Sequence, residues 1–212
     1  MIKSIIFDAD GVIIDNESLW DLGQTEFLSR RGFVYDRAKT KHLLTGRSLS
    51  EGAKIMQEQY GCPGNPETLG QERLEIMKTL YPNINFMPGF LEFFAKVKDT
   101  YKTAIATSSN LDLFKMADAK LGLSKLFNNH IYFLKDVNNV SKPEPDIFLF
   151  AAKMLNTPPS ECLVIEDAPN GVLAAKKAGM KCLAHSATHG KEHLTGADVI
   201  VDNFEQIDLS QF

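Results

Sequence analysis

The chain has 212 residues, 44% of them hydrophobic and 24% charged, which suits one large domain or one domain carrying a smaller insert. Its formal net charge of -4 argues against a nucleic-acid surface, and its three dispersed cysteines, Cys62, Cys162 and Cys182, give neither a CxxC zinc motif nor a disulfide framework. The N-terminus lacks the features of a secretory leader and no apolar run approaches a membrane span, so a cytoplasmic protein is expected.

The first predicted strand is "SIIF" (4–7), and it runs directly into "DADG", with carboxylates at Asp8 and Asp10 and a third at Asp15. Residues 16–86 then read as helix only: 18–32, 48–61 with Ser48 and Glu51 in capping-box spacing, and 67–81 ending before Pro82. Some 70 residues are far more than a connection needs. They are expected to form an inserted helical cap over 16–86, with hinges near 14–17 and 83–88, on a core made of 1–15 and 87–212. Beyond the insert, short apolar strands at 103–106, 130–133, 162–165, 181–184 and 198–201 alternate with helical patterns at 90–98, 111–122, 145–156 and 170–179. Continuously apolar strands are those of a parallel sheet buried on both faces, so the fold class is α/β, a Rossmann-like parallel-sheet core with an inserted all-helical cap. The aromatic "FLEFF" (90–94) is read as packing.

In such sheets ligands bind at the carboxyl ends of the strands. Four stations follow the predicted strands: Asp8 with Asp10, the hydroxyl loop Thr107–Asn110, Lys142 in "SKPEPDIF", and Glu166 with Asp167. Carboxylates from separate strands make a hard-cation site, and sparse all-oxygen ligation favours Mg²⁺. Lys142 and Thr107 can hold phosphoryl oxygens, a carboxylate in line with phosphorus can attack it, and a second carboxyl two residues on can act as acid and then base.

On "DADGVIID", "IATSS", "SKPEPDIF" and "EDAPNGVLAAKKAGM", which occur in order and cover nearly the whole chain, the sequence resembles the haloacid dehalogenase-like hydrolases, in the branch of β-phosphoglucomutase and sugar-phosphate phosphatases. The resemblance implies Asp8 as nucleophile and Asp10 as general acid/base that also gives its backbone carbonyl to Mg²⁺. It implies Thr107 and Ser108 as phosphate holders and Lys142 as the lysine that positions the nucleophile and binds phosphate. Asp167 is implied as a metal ligand with Asp8, and Glu166 as its metal-site neighbour. Asp at position 10 separates phosphomonoester chemistry from dehalogenase and phosphonatase relatives, which lack it.

The cap is expected to choose the substrate, with Glu17, Trp20 and Arg47 as candidate contacts. Relative to β-phosphoglucomutase, Trp20 stands where a histidine is expected, and "TGRSL" puts Thr45 and Leu49 at the positions of a phosphate-holding lysine and arginine. The reading is therefore a Mg²⁺-dependent phosphatase of small phosphomonoesters, sugar phosphates first, with a β-phosphoglucomutase-like mutase as the alternative. The partner is a small phosphorylated metabolite, with no nucleic acid or membrane, and the chain is expected to be a monomer. A catalytically inactive relative would lack one of Asp8, Asp10, Lys142 or Asp167, and all are present. Asp15 is expected to cap the first helix of the insert, Thr107 and Ser108 to compete for capping the helix near 111, and His185, His189 and His193 to lie in a loop broken by Gly190.

Overall fold

A computed structural model describes residues 1–44 and 47–212. Thr45, aligned above with a mutase lysine, lies outside the described residues. The chain begins with β1 (Ser4–Phe7) and β2 (Ile14–Asp15), followed by α1 (Glu17–Ser29), α2 (Arg37–Leu44), α3 (Leu49–Tyr60) and α4 (Pro66–Leu80). It continues through β3 (Asn85–Phe86), α5 (Phe90–Val97), β4 (Lys102–Thr107), α6 (Leu111–Leu121), α7 (Leu123–Leu126) and β5 (Ile131–Phe133). The last elements are α8 (Asp146–Met154), β6 (Cys162–Glu166), α9 (Pro169–Lys177), β7 (Lys181–His185) and β8 (Val199–Val201).

The main sheet is parallel, in the order β5-β4-β1-β6-β7-β8. Every residue of β1 is buried, as its apolar run requires of a central strand. Successive side chains take opposite faces. Ile5 and Phe7 join Ile105, Leu163, Ile165 and the phenylalanines of α5 in one apolar layer, where the Phe7 and Phe90 rings meet edge-on at 5.8 Å. Ile6, Ala104, Val164 and Cys182 face the other layer, built on Ile147, Phe148 and Ala151 of α8 and Val172 and Ala175 of α9. "FLEFF" is thus core packing.

The chain leaves the sheet through β2 and returns through β3, which pair antiparallel, Ile14 with Phe86 and Asp15 with Asn85. Between them, α1, α3 and α4 carry an apolar cluster of their own, including Phe27, Leu28, Ala53, Met56 and Ile76. Helix α2, "RAKTKHLL", has no apolar stripe to announce it; it is held instead by Thr40, fully buried, whose hydroxyl meets the Tyr60 hydroxyl at 2.6 Å. The expected capping box at Ser48 is present, with both reciprocal bonds to Glu51. Asp15 does not cap α1. The N-cap residue is Asn16, and its side chain is committed elsewhere. Among the described residues, no helix is long and apolar enough to cross a membrane.

Candidate active site

Strand order decides where the chemistry gathers. β4, β1 and β6 are neighbours, and their register aligns Phe7 with Ile105 and Ile165. Asp8, Thr107 and Glu166-Asp167 therefore emerge at one edge, at the switch point where the sheet grows in both directions from β1. They line a cavity of about 570 Å³ together with Asp10, Ser108, Ser109 and Lys142 on the sheet side and residues of α1–α4 on the other.

Lys142 lies on the connection between β5 and α8. Its ammonium donates to Asp8 Oδ1 at 2.5 Å and to Glu166 Oε1 at 2.6 Å. The second Glu166 oxygen, Oε2, accepts the backbone N–H groups of Asp167 and Ala168, both at 2.8 Å. Glu166 is fixed on both oxygens and in turn fixes the lysine. Both Glu166 oxygens are thus engaged by protein donors. Burial pulls the lysine toward neutrality, but the Asp8 and Glu166 carboxylates override it and hold Lys142 above its ordinary pKa. Asp8 itself is pushed up to about 7, by burial first, with Lys142 opposing and the charges of Glu166 and Asp10 adding.

Asp10 is held by three groups that sequence reading did not single out. The Ser109 hydroxyl donates to Oδ2, and Asn16 Nδ2 donates to Oδ1 at 2.5 Å and also to the Tyr81 hydroxyl at 2.9 Å. Burial raises the Asp10 pKa, while the bonds from Ser109 and Asn16, then Lys142 and the Tyr81 hydroxyl, favour its charged form. Burial that favours the protonated carboxyl suits a group that must give a proton.

In the hydroxyl loop, Thr107 is buried and its Oγ1 accepts from the Ser109 N–H at 3.0 Å, while the Ser108 hydroxyl is buried without a hydrogen-bond partner among the described residues. The cap of α6 is Asn110, whose Oδ1 accepts from Asp112 N at 2.9 Å, so Thr107 and Ser108 are not consumed as caps.

Of the expected contacts on the helical side, Glu17, Trp20 and Arg47 all line the cavity, with different ties. Glu17 pairs with Lys41 of α2, which also meets Asp21 at 3.1 Å. Trp20 packs against the main apolar layer. Arg47 is exposed, 3.9 Å from Glu51. Leu49 offers its backbone carbonyl to Arg73 of α4 at 2.9 Å. His185 ends β7 against the Phe204 ring, His189 is buried in the following loop and His193 is exposed.

The model of haloacid dehalogenase-like hydrolases matches residues 2–179. The chain belongs to this family. As a haloacid dehalogenase-like hydrolase it falls in the phosphoric monoester hydrolase branch. It is 34% identical over 181 residues to a Drosophila melanogaster protein named "Probable pseudouridine-5'-phosphatase", covering 83% of this chain and 78% of that one. Among solved structures it is similar to CbbY from Rhodobacter sphaeroides in complex with xylulose-1,5-bisphosphate (TM-score 0.84, 26% identity, 100% of this chain and 99% of that one). It is likewise similar to β-phosphoglucomutase from Clostridium difficile (TM-score 0.81, 26% identity, 99% and 95%).

The family implies a divalent cation, and the donor chemistry here fits one. The buried Lys142 ammonium is shared by Asp8 and Glu166, and Asp167 lies close enough to feel the charges of both acids. The Asp167 pKa is raised well above its ordinary value by burial, then by the charges of Glu166 and Asp8. Gly11, in the left-handed region at φ 79°, lets the backbone close on this carboxylate; a Cβ there would collide with Asp167 and with the Thr188 hydroxyl. Among the described residues no three acidic, His or Cys side chains form a closed metal cage. Two carboxylates and a carbonyl, completed by water, is a Mg²⁺-type site rather than a cage.

Proposed function

We propose that the protein is a Mg²⁺-dependent phosphatase of small phosphomonoesters, sugar phosphates foremost, acting through a phosphoaspartyl intermediate on Asp8. The observation that carries the reading is the Lys142 ammonium bridging Asp8 and Glu166 beside an Asp10 held by Ser109 and Asn16. Asp8 Oδ2, the oxygen not bonded to Lys142, attacks phosphorus; the ester P–O bond breaks and Asp10 protonates the departing alkoxide. Asp10 then takes a proton from water, the water oxygen attacks phosphorus, and the bond to Asp8 breaks to release inorganic phosphate. Lys142, Thr107 and the Ser108 N–H hold the phosphoryl oxygens through these steps. When bound by Asp8, Asp167 and the Asp10 carbonyl, Mg²⁺ would offset the repulsion between the carboxylates and the phosphoryl group.

Trp20 and Leu49 favour hydrolysis over the mutase alternative, since neither offers a charge to seat a second phosphate or a proton-carrying ring as histidine would. Helices α1–α4, as a cap over the rim, restrict entry to small metabolites. We infer a monomeric cytoplasmic enzyme with no nucleic-acid or membrane partner. The test is phosphate release from a panel of sugar phosphates, nucleoside monophosphates and phosphoglycolate with Mg²⁺. Asp8→Asn should lower turnover by at least about a thousandfold, and retention of most activity would overturn the assignment. With β-glucose 1-phosphate, free phosphate supports the phosphatase and glucose 6-phosphate the mutase.

A further inference from the structure

The acids of the rim differ in how they are held. Asp8 accepts from Lys142, Asp10 from Ser109 and Asn16, and Glu166 from Lys142 and two backbone N–H groups. Asp167 is only 3% exposed, and among the described residues no donor is aligned on its carboxylate. The N–H of Gly11, whose backbone closes on it, is spent on the Ile14 carbonyl at 2.9 Å.

One donor beside Asp167 is unspent. Thr188 stands in the loop after β7, and β7 pairs with β6 so that Ala184 lies opposite Glu166. The Thr188 hydroxyl is buried, with no aligned hydrogen-bond partner among the described residues. The point where a Cβ on Gly11 would stand is 2.1 Å from Asp167 Oδ2 and 2.6 Å from Thr188 Oγ1, so carboxylate and hydroxyl flank one spot on the Asp10-Gly11 backbone. Of the leading influences on Asp167, the Thr188 hydroxyl alone favours the charged form, against burial and the charges of Glu166, Asp8 and Glu17. The loop does not need this hydroxyl as its anchor: the Ser186 N–H donates to the Val201 carbonyl at 2.9 Å and the Ser186 hydroxyl to Asp202 Oδ1 at 2.7 Å. Nor does Thr188 line the cavity, where it could meet substrate.

A buried hydroxyl left unpaired is costly, and a carboxylate that ligates a cation is oriented by donors outside the ligand set. We propose that Thr188 is a positioning residue of the cation site: its hydroxyl donates to Asp167 Oδ2 and orients the carboxylate that holds Mg²⁺. The inference rests on the Mg²⁺ reading above for what Asp167 binds. Thr188 touches neither phosphate nor cation and acts through Asp167.

Metal affinity tests this apart from turnover. Mn²⁺ is titrated into the full-length protein, free Mn²⁺ is counted by electron paramagnetic resonance, and Mg²⁺ affinity is read by competition. Asp167→Asn should abolish binding, which locates the signal at this site. Thr188→Val keeps the side chain's shape and removes its hydroxyl; it should weaken both ions by about tenfold or more, while Thr188→Ser stays within about threefold of the parent. Melting temperature separates this from a loss of packing. In EDTA, Thr188→Val should melt no lower than the parent, since no aligned bond is lost, and with Mg²⁺ it should gain less than the parent does. Equal affinities in the parent and Thr188→Val overturn the proposal. So does a loss that Thr188→Ser shares, or a melting temperature that falls as far in EDTA as in Mg²⁺. Should Thr188→Val fail to fold, Thr188→Ala takes its place; if neither folds, the hydroxyl has a role without the cation and the proposal is overturned. A parent that binds neither ion, or binding unchanged in Asp167→Asn, sinks the Mg²⁺ reading and this inference with it, whereas binding lost in Asp167→Asn but unchanged in Thr188→Val sinks this inference alone.

Discussion

Replacing Lys142 with Met removes the one ammonium between two carboxylates while keeping an apolar stem of similar length. The Lys142, Asp8 and Glu166 side chains are 8%, 10% and 1% exposed, so this is a buried pair on both sides, where solvent screening gives little relief. Breaking a buried ion pair by deleting one partner costs about 3–5 kcal/mol, because a charge is left unpaired in a poorly polarisable setting. For a chain of this size roughly 2–4 °C of melting temperature follows each kcal/mol, so Lys142→Met should melt about 6–20 °C lower. The measurement is thermal and urea unfolding by circular dichroism in EDTA, so that only the chain's own charges are read. A second arm repeats the substitution in a Glu166→Gln background. With one carboxylate already neutral, Lys142→Met should cost at least about 1 kcal/mol less there. A loss below about 1 kcal/mol, or an equal loss in both backgrounds, would refute the claim that the lysine is held by these two acids.

Dialysis against EDTA should abolish phosphate release and Mg²⁺ should restore it. Mg²⁺ should also raise the melting temperature by relieving the crowding of Asp8 and Asp167, and a melting curve indifferent to Mg²⁺ would count against that site. Asn16→Ala and Ser109→Ala each remove a donor from Asp10 and should lower kcat by about tenfold to a hundredfold with a smaller change in KM; an effect on KM alone would show that these donors do not serve the acid–base group. Burial holds His185 and His189 below their ordinary pKa. Their stabilising contribution is complete above the unfolded value of about 6.5 and is lost as pH falls through the folded values, because the unfolded chain takes up the protons first. Melting temperature should therefore fall more steeply from pH 7 to 5 in the parent than in His185→Gln, and parallel curves would contradict this.

The sheet was legible because burial on both faces writes itself into sequence as unbroken apolar runs: "SIIF" and "CLVI" could hardly be anything else, and both are strands. Three of the four rim motifs were legible because each directly follows such a run, and Lys142, at some distance from its strand, was legible from the "SKPEPDIF" resemblance. Helix α2 was not, since a helix packed through Thr40 and charged residues has no stripe to read. Asn16 and Tyr81 escaped notice because their meeting spans 65 residues, and Ser109 because it meets Asp10 across 99. Their local clues were slight: an asparagine at the hinge, and a second serine beside Ser108. The bonds of Glu166 to Lys142 and to the backbone were not legible either, because spacing locates a carboxylate but not the direction of its two oxygens.

The ties to Asp10 have a mechanical consequence. Asn16 is the last residue before α1 and Tyr81 the first after α4, so the group proposed to shuttle protons is bonded to the chain at the point where it departs into the helices and close to the point where it comes back. The paired β2 and β3 bring these two crossings together. A swing of the helices on that ribbon would draw Asn16 and Tyr81 off the carboxyl together. On the proposed reading, proton transfer would then be tied to closure: the acid would keep its Asn16 and Tyr81 ties while the helices sit on the rim and lose them when they lift.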